Sequence, residues 1–170
     1  MAGWRAVVVG CLLAILALCA ANDVATDGST YYVSRAEKLS SADWRTNTED
    51  VRVMSANAAA DGTITWSDSL ASGGTEIVGA NVLDAAGNLY VVGSTKGNVT
   101  ADTCNAGSFD LFLIKLSPTG ARLWIAQIGT PQHDEARHVL LQTEADGSEY
   151  VYVCGVTFGA LDEQLHATNG

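Results

Sequence analysis

The chain has 170 residues, a formal net charge of −10 and 48% hydrophobic residues, and 16% of its residues are charged. This length suits one ordinary globular domain. The low charged fraction and the normal apolar fraction exclude a largely disordered chain. No cluster of Lys or Arg offsets the acidic charge, and a negative field repels phosphates, so neither nucleic acid nor an anionic membrane surface is an expected partner.

The N-terminus has the pattern of a secretory signal peptide. A single positive charge, Arg5, precedes sixteen uncharged and mostly apolar residues at 6–21. Small side chains at Cys19 and Ala21 suit the positions that signal peptidase reads, which places cleavage after Ala21. Residues 1–21 are therefore expected to be a signal peptide, and the mature chain to be secreted or extracellular with no membrane attachment. An uncleaved anchor is the alternative, but such a helix would span about 24 Å of a roughly 30 Å hydrocarbon core.

We predict Asn22 as the mature N-terminus, because this cut leaves small residues at both recognition positions. Terminal sequencing of the exported protein measures this directly. An exported protein that still begins at Met1 would contradict the prediction and support the anchor.

Export changes how the cysteines and one asparagine are interpreted. Cys11 and Cys19 leave with the signal peptide, so Cys104 and Cys154 remain as a candidate disulfide in an oxidising compartment. The alternative is that Cys154, which lies in an apolar run, is a small core residue. Asn98 begins a glycosylation sequon in a stretch typical of an exposed loop, and it is the candidate modification site if the source is eukaryotic.

The chain contains an internal repeat of about 60 residues. A Gly lies four residues before both Trp66 and Trp124, and two matching Tyr-Val-x-Gly runs end at Gly93 and Gly155. Four residues are inserted in the second copy between 129 and 151. The expected structural residues of the repeat are Trp66, Trp124, Gly93, Gly155 and Asp110, which begins the apolar run before the second Trp.

Each copy divides into short β-rich runs separated by turns. The expected strands are 77–83, 89–92, 110–117, 121–128, 136–142 and 150–153, and Gly, Asn or Pro lies in the turns between them. No helical period is sustained, so an all-β fold is predicted. The run 111–116 is apolar on both alternating faces apart from Lys115, which requires cover on both sides of its sheet. Stacked four-stranded antiparallel blades of a β-propeller provide that cover.

The landmarks at 84–93 and 107–134 together resemble the β-propeller repeat called the SBBP repeat. They include an Asp that begins an apolar strand ending in Lys-Leu, a turn with Gly, a Trp, and an Asp-x-x-Gly-Asn turn into a Tyr-Val-x-Gly strand. The resemblance covers 50–170 and implies an incomplete array of about two to two and a half blades. Residues 27–33 echo 146–152, so 22–49 is interpreted as a degenerate part-blade. The resemblance also implies a secreted or cell-surface scaffold, a non-enzymatic binding module for protein or carbohydrate.

The Thr-Gly-x-x-x-Trp element at 119–124 also resembles quinoprotein propellers, some of which bind pyrroloquinoline quinone. That resemblance implies the alternative function, a fragment of a propeller enzyme such as a quinoprotein-like dehydrogenase whose catalytic residues lie outside this chain. We identify no catalytic, cofactor-binding or metal-binding residue and expect no enzymatic activity. His133 and His138 lie five positions apart in a loop-like stretch, which does not suit a helical zinc motif. The two Gly-x-Thr-x-Gly runs have Thr where a nucleophile elbow has Ser.

Trp124 is expected to be buried at a blade boundary. It recurs at the same position of the repeat as Trp66 and follows an apolar strand. Its replacement by Ala would then cost about 3–5 kcal/mol of stability.

The repeat pattern also predicts an open array. The sequence ends where another apolar strand is due, and two units with part of a third cannot close a ring of at least four blades. Open blade edges favour self-association. The mature chain is therefore expected either to associate or to fold poorly.

Overall fold

The structure is a computed structural model that describes residues 23–26, 30–37, 50–57, 64–70 and 72–161, with side chains from residue 67 onward. The expected signal peptide and its cleavage position lie outside the described residues. The described ranges contain ten strands: β1 (Asp23–Thr26), β2 (Thr30–Glu37), β3 (Asp50–Asn57), β4 (Ile64–Leu70), β5 (Glu76–Leu83), β6 (Leu89–Thr95), β7 (Asp110–Leu116), β8 (Arg122–Ile128), β9 (Asp134–Thr143) and β10 (Glu149–Thr157). No helix occurs in these ranges, which confirms the all-β prediction.

The strands form three antiparallel sheets in chain order. The first sheet has the order β1-β2-β3-β4, the middle sheet has the order β5-β6-β7-β8, and the third sheet pairs β9 with β10. Strands that follow one another in the chain are neighbours in their sheet, as in a succession of hairpins. β1 and β2, at 23–37, pair in one sheet with β3 and β4, at 50–70. Residue 50, at which the sequence analysis begins the repeats, is therefore not a boundary between sheets.

The middle sheet is packed between the other two. β1, β2 and β3 contact β5 on one side, and β9 contacts β5, β6 and β7 on the other. An ion pair adds to the first contact, because Arg122 Nε of β8 lies 2.5 Å from Asp68 Oδ2 of β4. Phe112, Ile114 and Leu116 of β7 are 0–1% exposed, and the alternate residues of β7 are half-buried on the side that contacts β9, so the prediction that the run 111–116 is covered on both sides is confirmed.

Among the residues with described side chains, two apolar clusters lie between the sheets. The cluster between the first and middle sheets consists of Leu70, Val78, Leu89, Val91, Val99, Phe112, Ile114 and Leu116. The cluster between the middle and third sheets contains Val92, Ala136 and Val139, with Ala80, Val82, Leu111, Leu113, Val151 and Val153 packed around them. Along β7 the residues of the first cluster are fully buried and those of the second are half-buried.

All six predicted strands occur in the structure, with ends shifted by a few residues. The largest difference is at β10, which continues to Thr157 instead of ending before Gly155. β6 likewise continues past Gly93 to Thr95. The two glycines are therefore strand residues and do not end their strands.

Gly93 and Gly155 make the same close contact in the two copies. A Cβ atom on Gly93 would lie 2.1 Å from the carbonyl oxygen of Ile77, and one on Gly155 would lie 1.8 Å from that of Glu135. Ile77 and Glu135 are both the second residue of the preceding strand. Neither position has room for a side chain, which explains why the repeat has Gly at both.

The three described hairpin turns, at 84–88, 117–121 and 144–148, have one shape. Gly87, Gly120 and Gly147 have positive φ angles of 81°, 83° and 87°. Each donates its N–H to the carbonyl oxygen three residues earlier, at 2.9–3.0 Å. Glycine takes this left-handed conformation at low cost, so the turns predicted at these positions are confirmed.

The four inserted residues of the second copy lengthen a hairpin. β9 has 10 residues where β5 has 8, and β10 has 9 where β6 has 7. Because side chains alternate between the two faces of a strand, adding two residues to each strand keeps every other residue on its original face. The insertion lies in the strands beside the turn and adds Glu149 to the start of β10.

Candidate functional site

Polar clusters lie at both ends of the middle sheet. We name the turn end after the three hairpin turns, which lie together there, and the loop end after the longer connections that lead into β5, β7 and β9. Most of the polar side chains that the sequence singled out lie at the loop end. The turn end brings together side chains that are far apart in the sequence.

Three buried carboxylates begin strands at the loop end. Glu76, Asp110 and Asp134 are each 0–1% exposed. Asp110 Oδ2 accepts a hydrogen bond from Gln127 Nε2 at 2.9 Å. Asp134 Oδ2 accepts two, from the N–H and the hydroxyl of Thr130 at 2.6 and 2.9 Å. A buried carboxylate requires such donors, and here the donors come from the loops and strands that the carboxylates hold in place.

Gln127 organises the loop between β6 and β7, and sequence reasoning missed it. Its Oε1 accepts the N–H of Val99 at 3.0 Å. Its Nε2 donates to the carbonyl oxygen of Gly97 at 3.0 Å as well as to Asp110. A lone amide among the apolar residues of β8 is the signal that could have identified it.

The two Gly-x-Thr-x-Gly runs form identical turns. Thr95 Oγ1 accepts the N–H of Gly97 at 2.9 Å, and Thr157 Oγ1 accepts that of Gly159 at 3.1 Å. The Thr95 hydroxyl also lies 2.9 Å from Glu76 Oε1, to which it donates. The threonines thus occupy the same position at the ends of β6 and β10.

The glycosylation candidate lies in the loop that Gln127 holds. Asn98 is exposed, and its Oδ1 accepts the N–H of Asn105 at 2.8 Å. That bond uses the oxygen, whereas a glycan attaches to Nδ2. The local geometry is thus compatible with modification, and Asn98 remains a candidate.

The cysteine prediction is wrong for this structure. Cys104 and Cys154 are both free and exposed. Cys104 lies in the loop before β7, whereas Cys154 lies on β10 with its side chain directed away from the middle sheet, because Val153 takes the inward position. The alternative that Cys154 is a core residue is wrong for the same reason.

Both histidines of the candidate metal pair have other surroundings. The His133 ring packs edge-on against the rings of Phe109 and Phe158, with centroids 5.1 and 5.8 Å away. His138 is an exposed residue of β9. Among the residues with described side chains, no group of three metal-ligating residues is close enough to hold an ion.

Four side chains form a charged network at the turn end. Lys115 Nζ lies 3.3 Å from Asp84 Oδ2 and 3.6 Å from Glu149 Oε2. Tyr90 donates its hydroxyl to Glu149 Oε2 at 2.5 Å, and the Lys115 ammonium lies 4.6 Å from the centre of the Tyr90 ring. Since Glu149 begins β10, the network joins the middle sheet to the third. The signal in the sequence was Lys115, the one charge inside an apolar strand.

Hydrogen bonds outweigh burial for the network's acid and base. Burial raises the pKa of Asp84, but hydrogen bonds from Asn88 and the Lys115 cation together lower it by more, so the net shift is downward. Burial lowers the pKa of Lys115, but Tyr90 and Asp84 raise it, and the net shift is upward. Burial and the bond to Glu149 both raise the pKa of Tyr90. At neutral pH the network therefore holds an Asp84 anion, a Lys115 cation and a neutral phenol.

Trp124 lies beside this network, and its predicted burial is wrong. The residue is 40% exposed, and its ring meets that of Tyr90 edge-on with centroids 5.9 Å apart. Trp124 and Tyr90 are the cross-strand neighbours of Lys115, so the three form a row across the sheet. β9 covers β5, β6 and β7, whereas Trp124 stands on the outermost strand β8, beyond that cover. Trp66 lies on β4, and its side chain is outside the described residues.

Neither a protein-family model nor a curated protein matches the chain. The described ranges contain no helix that is long and apolar enough to cross a membrane. The geometry at the turn end is therefore the basis of the function proposed next.

Proposed function

We propose that the chain is a secreted or cell-surface β-propeller repeat protein of the SBBP type that acts as a non-enzymatic binding module for protein or carbohydrate. The succession of antiparallel sheets, each packed on the next, supports the propeller, because propeller blades are built in this way. The recurring hairpin turns and the matching contacts of Gly93 and Gly155 support the repeat.

The exposed Trp124 ring beside fixed charges is the observation that carries the binding function. Large aromatic rings at a surface provide a flat apolar contact. The side chains of Lys115 and Glu149 are 18% and 30% exposed, so a donor and an acceptor reach the surface next to the ring. All three stand on paired strands, which hold them more firmly than a loop would.

Within the proposed function, a carbohydrate fits this arrangement best. The apolar face of a sugar ring can stack on Trp124, while its hydroxyl groups bond to the carboxylate and the ammonium. A protein partner would instead use Trp124 as a buried anchor.

We predict that Trp124→Ala abolishes carbohydrate binding and leaves the fold intact. The expected loss of stability is below the roughly 3–5 kcal/mol of a fully buried Trp, because the residue is 40% exposed and its edge-on contact with Tyr90 adds only about 0.5–1.5 kcal/mol to the area it buries. Screening an array of oligosaccharides and then titrating the best one by calorimetry measures the binding. The matched control is Leu123→Ala, a 52% exposed neighbour on the same strand, which should bind as the original chain does. Undiminished affinity in Trp124→Ala would contradict the site, and an array without any binder would contradict the carbohydrate.

A further inference from the structure

The outward side of the third sheet repeats a surface that the middle sheet buries. Tyr152 lies three residues before Gly155, as Tyr90 lies three before Gly93, and Leu140 has the position in β9 that Val82 has in β5. In the middle sheet Tyr90 is only 1% exposed, because the third sheet packs on it. Tyr152 and Leu140 are 51% and 64% exposed.

These exposed residues form one continuous strip, which we call the outer face. Leu140 and Tyr152 are direct cross-strand partners, and the Tyr150 and Tyr152 rings lie 6.5 Å apart. The outer face comprises His138, Leu140, Tyr150, Tyr152 and Cys154. Gln142, opposite Tyr150, and Glu135, opposite Val156, lie on the same outward side of β9, so the strip is apolar between two polar ends. An exposed apolar strip of this kind is typical of a contact surface.

The element that covers the equivalent surface inside the chain shows what fits the outer face. Tyr90 and Val92 are covered by a β-sheet of the same repeat, through residues such as Val139 and Val153. Among the described strands there is one further sheet of this kind, the first sheet, and its extensive packing contacts there are with the middle sheet alone. Its second side is therefore the surface that another copy could present.

We propose that a second copy of this chain docks its first sheet, β1 to β4, onto the outer face. The contact is head-to-tail, since the two copies use different surfaces, and repeated contacts of this type lead to a ring or a fibre. Added salt strengthens the association, because it screens the repulsion between two acidic chains and does not screen an apolar contact. The proposal is independent of carbohydrate binding at Trp124, which stands on the middle sheet.

The two free cysteines allow a direct test on the full chain. Cys154 lies on the outer face and Cys104 in an exposed loop, so Cys104 is an internal control. The chain is labelled with a maleimide at increasing protein concentration, the rate at each cysteine is read by peptide mass spectrometry, and light scattering gives the mass. We expect Cys154 labelling to slow about tenfold when nine-tenths of the outer faces are occupied, with Cys104 unchanged.

A pair of matched variants tests which surface is responsible. Leu140→Asp should restore fast labelling of Cys154 and the mass of one chain, whereas Leu123→Asp, the same change at an exposed Leu of β8, should leave association intact. Circular dichroism checks that both variants fold, and Tyr152→Ser replaces Leu140→Asp if the latter does not.

Three outcomes would overturn the proposal. The first is a monomer whose Cys154 reacts quickly at every concentration. The second is protection of Cys154 that does not depend on concentration, which would assign the cover to residues 162–170 of the same chain. The third is association that persists in a folded Leu140→Asp variant. Oligosaccharide binding by the same samples shows independently whether the function proposed at Trp124 holds.

Discussion

Phe112→Ala is expected to lower the free energy of unfolding by about 3–5 kcal/mol, the largest effect of any change considered for this protein. Phe112 is 0% exposed and lies in the cluster between the first and middle sheets. Gly93, on the neighbouring strand, has no side chain because the Phe112 ring and the Ile77 carbonyl fill that space. Since β6 and β7 are held by their hydrogen-bond ladder, they cannot close the cavity that the ring would leave.

Denaturant unfolding followed by tryptophan fluorescence measures this loss. Leu123→Ala is the control, because Leu123 is an apolar residue of the same sheet that is 52% exposed, and a surface change should stay within about 0.5 kcal/mol. Equal losses in the two variants would contradict the packing of the first and middle sheets.

Lys115→Met is expected to cost about 2–3 kcal/mol, somewhat less than the 3–5 kcal/mol for breaking a fully buried ion pair. Methionine keeps the apolar stem of the side chain but removes the charge. The Asp84 side chain is 5% exposed, so its carboxylate would lose its cationic partner and water could hardly replace that partner. The control is Arg137→Met, which removes an exposed pair with Glu135 and should cost at most about 1 kcal/mol.

The pH dependence of stability gives this network a signature of its own. The pKa of Asp84 is lowered in the folded chain, so its contribution is present above the ordinary Asp value of about 4 and is lost as the pH falls through the folded pKa. The pKa values of Lys115 and Tyr90 are raised, so their contributions are present below about pH 10 and are lost as the pH rises through the folded values.

In Lys115→Met the pKa of Asp84 should return towards its ordinary value, so the difference in stability from the original chain should shrink at both pH limits. Urea midpoints measured from acidic to alkaline pH provide the comparison. A difference that stays constant with pH would mean that Lys115 stabilises the chain through its stem and not through its charge.

Short-range patterns in the sequence determined the strands and turns. The Gly at the fourth position of each hairpin turn takes a positive φ whatever surrounds it, and apolar runs of strand length form the ladder between such turns. The run 111–116, which is apolar on both alternating faces apart from Lys115, even predicted that sheets lie on both sides of its strand. A strand that is buried on both faces has this pattern whichever part of the chain covers it.

Only the tertiary structure decided which repeated residues are covered and which distant side chains meet. Trp124 has the sequence pattern of a buried residue, yet it is 40% exposed because burial depends on whether a neighbouring sheet reaches β8. Cys154 is exposed because no described strand packs on its face of β10. The apolar pattern of the run does not show which of its two faces is covered. Glu149 joins Lys115 and Tyr90 because a hairpin lengthened by two residues per strand extends over the middle sheet. Such contacts depend on how the sheets stack on one another. The spacing of residues along the chain contains no information about that stacking.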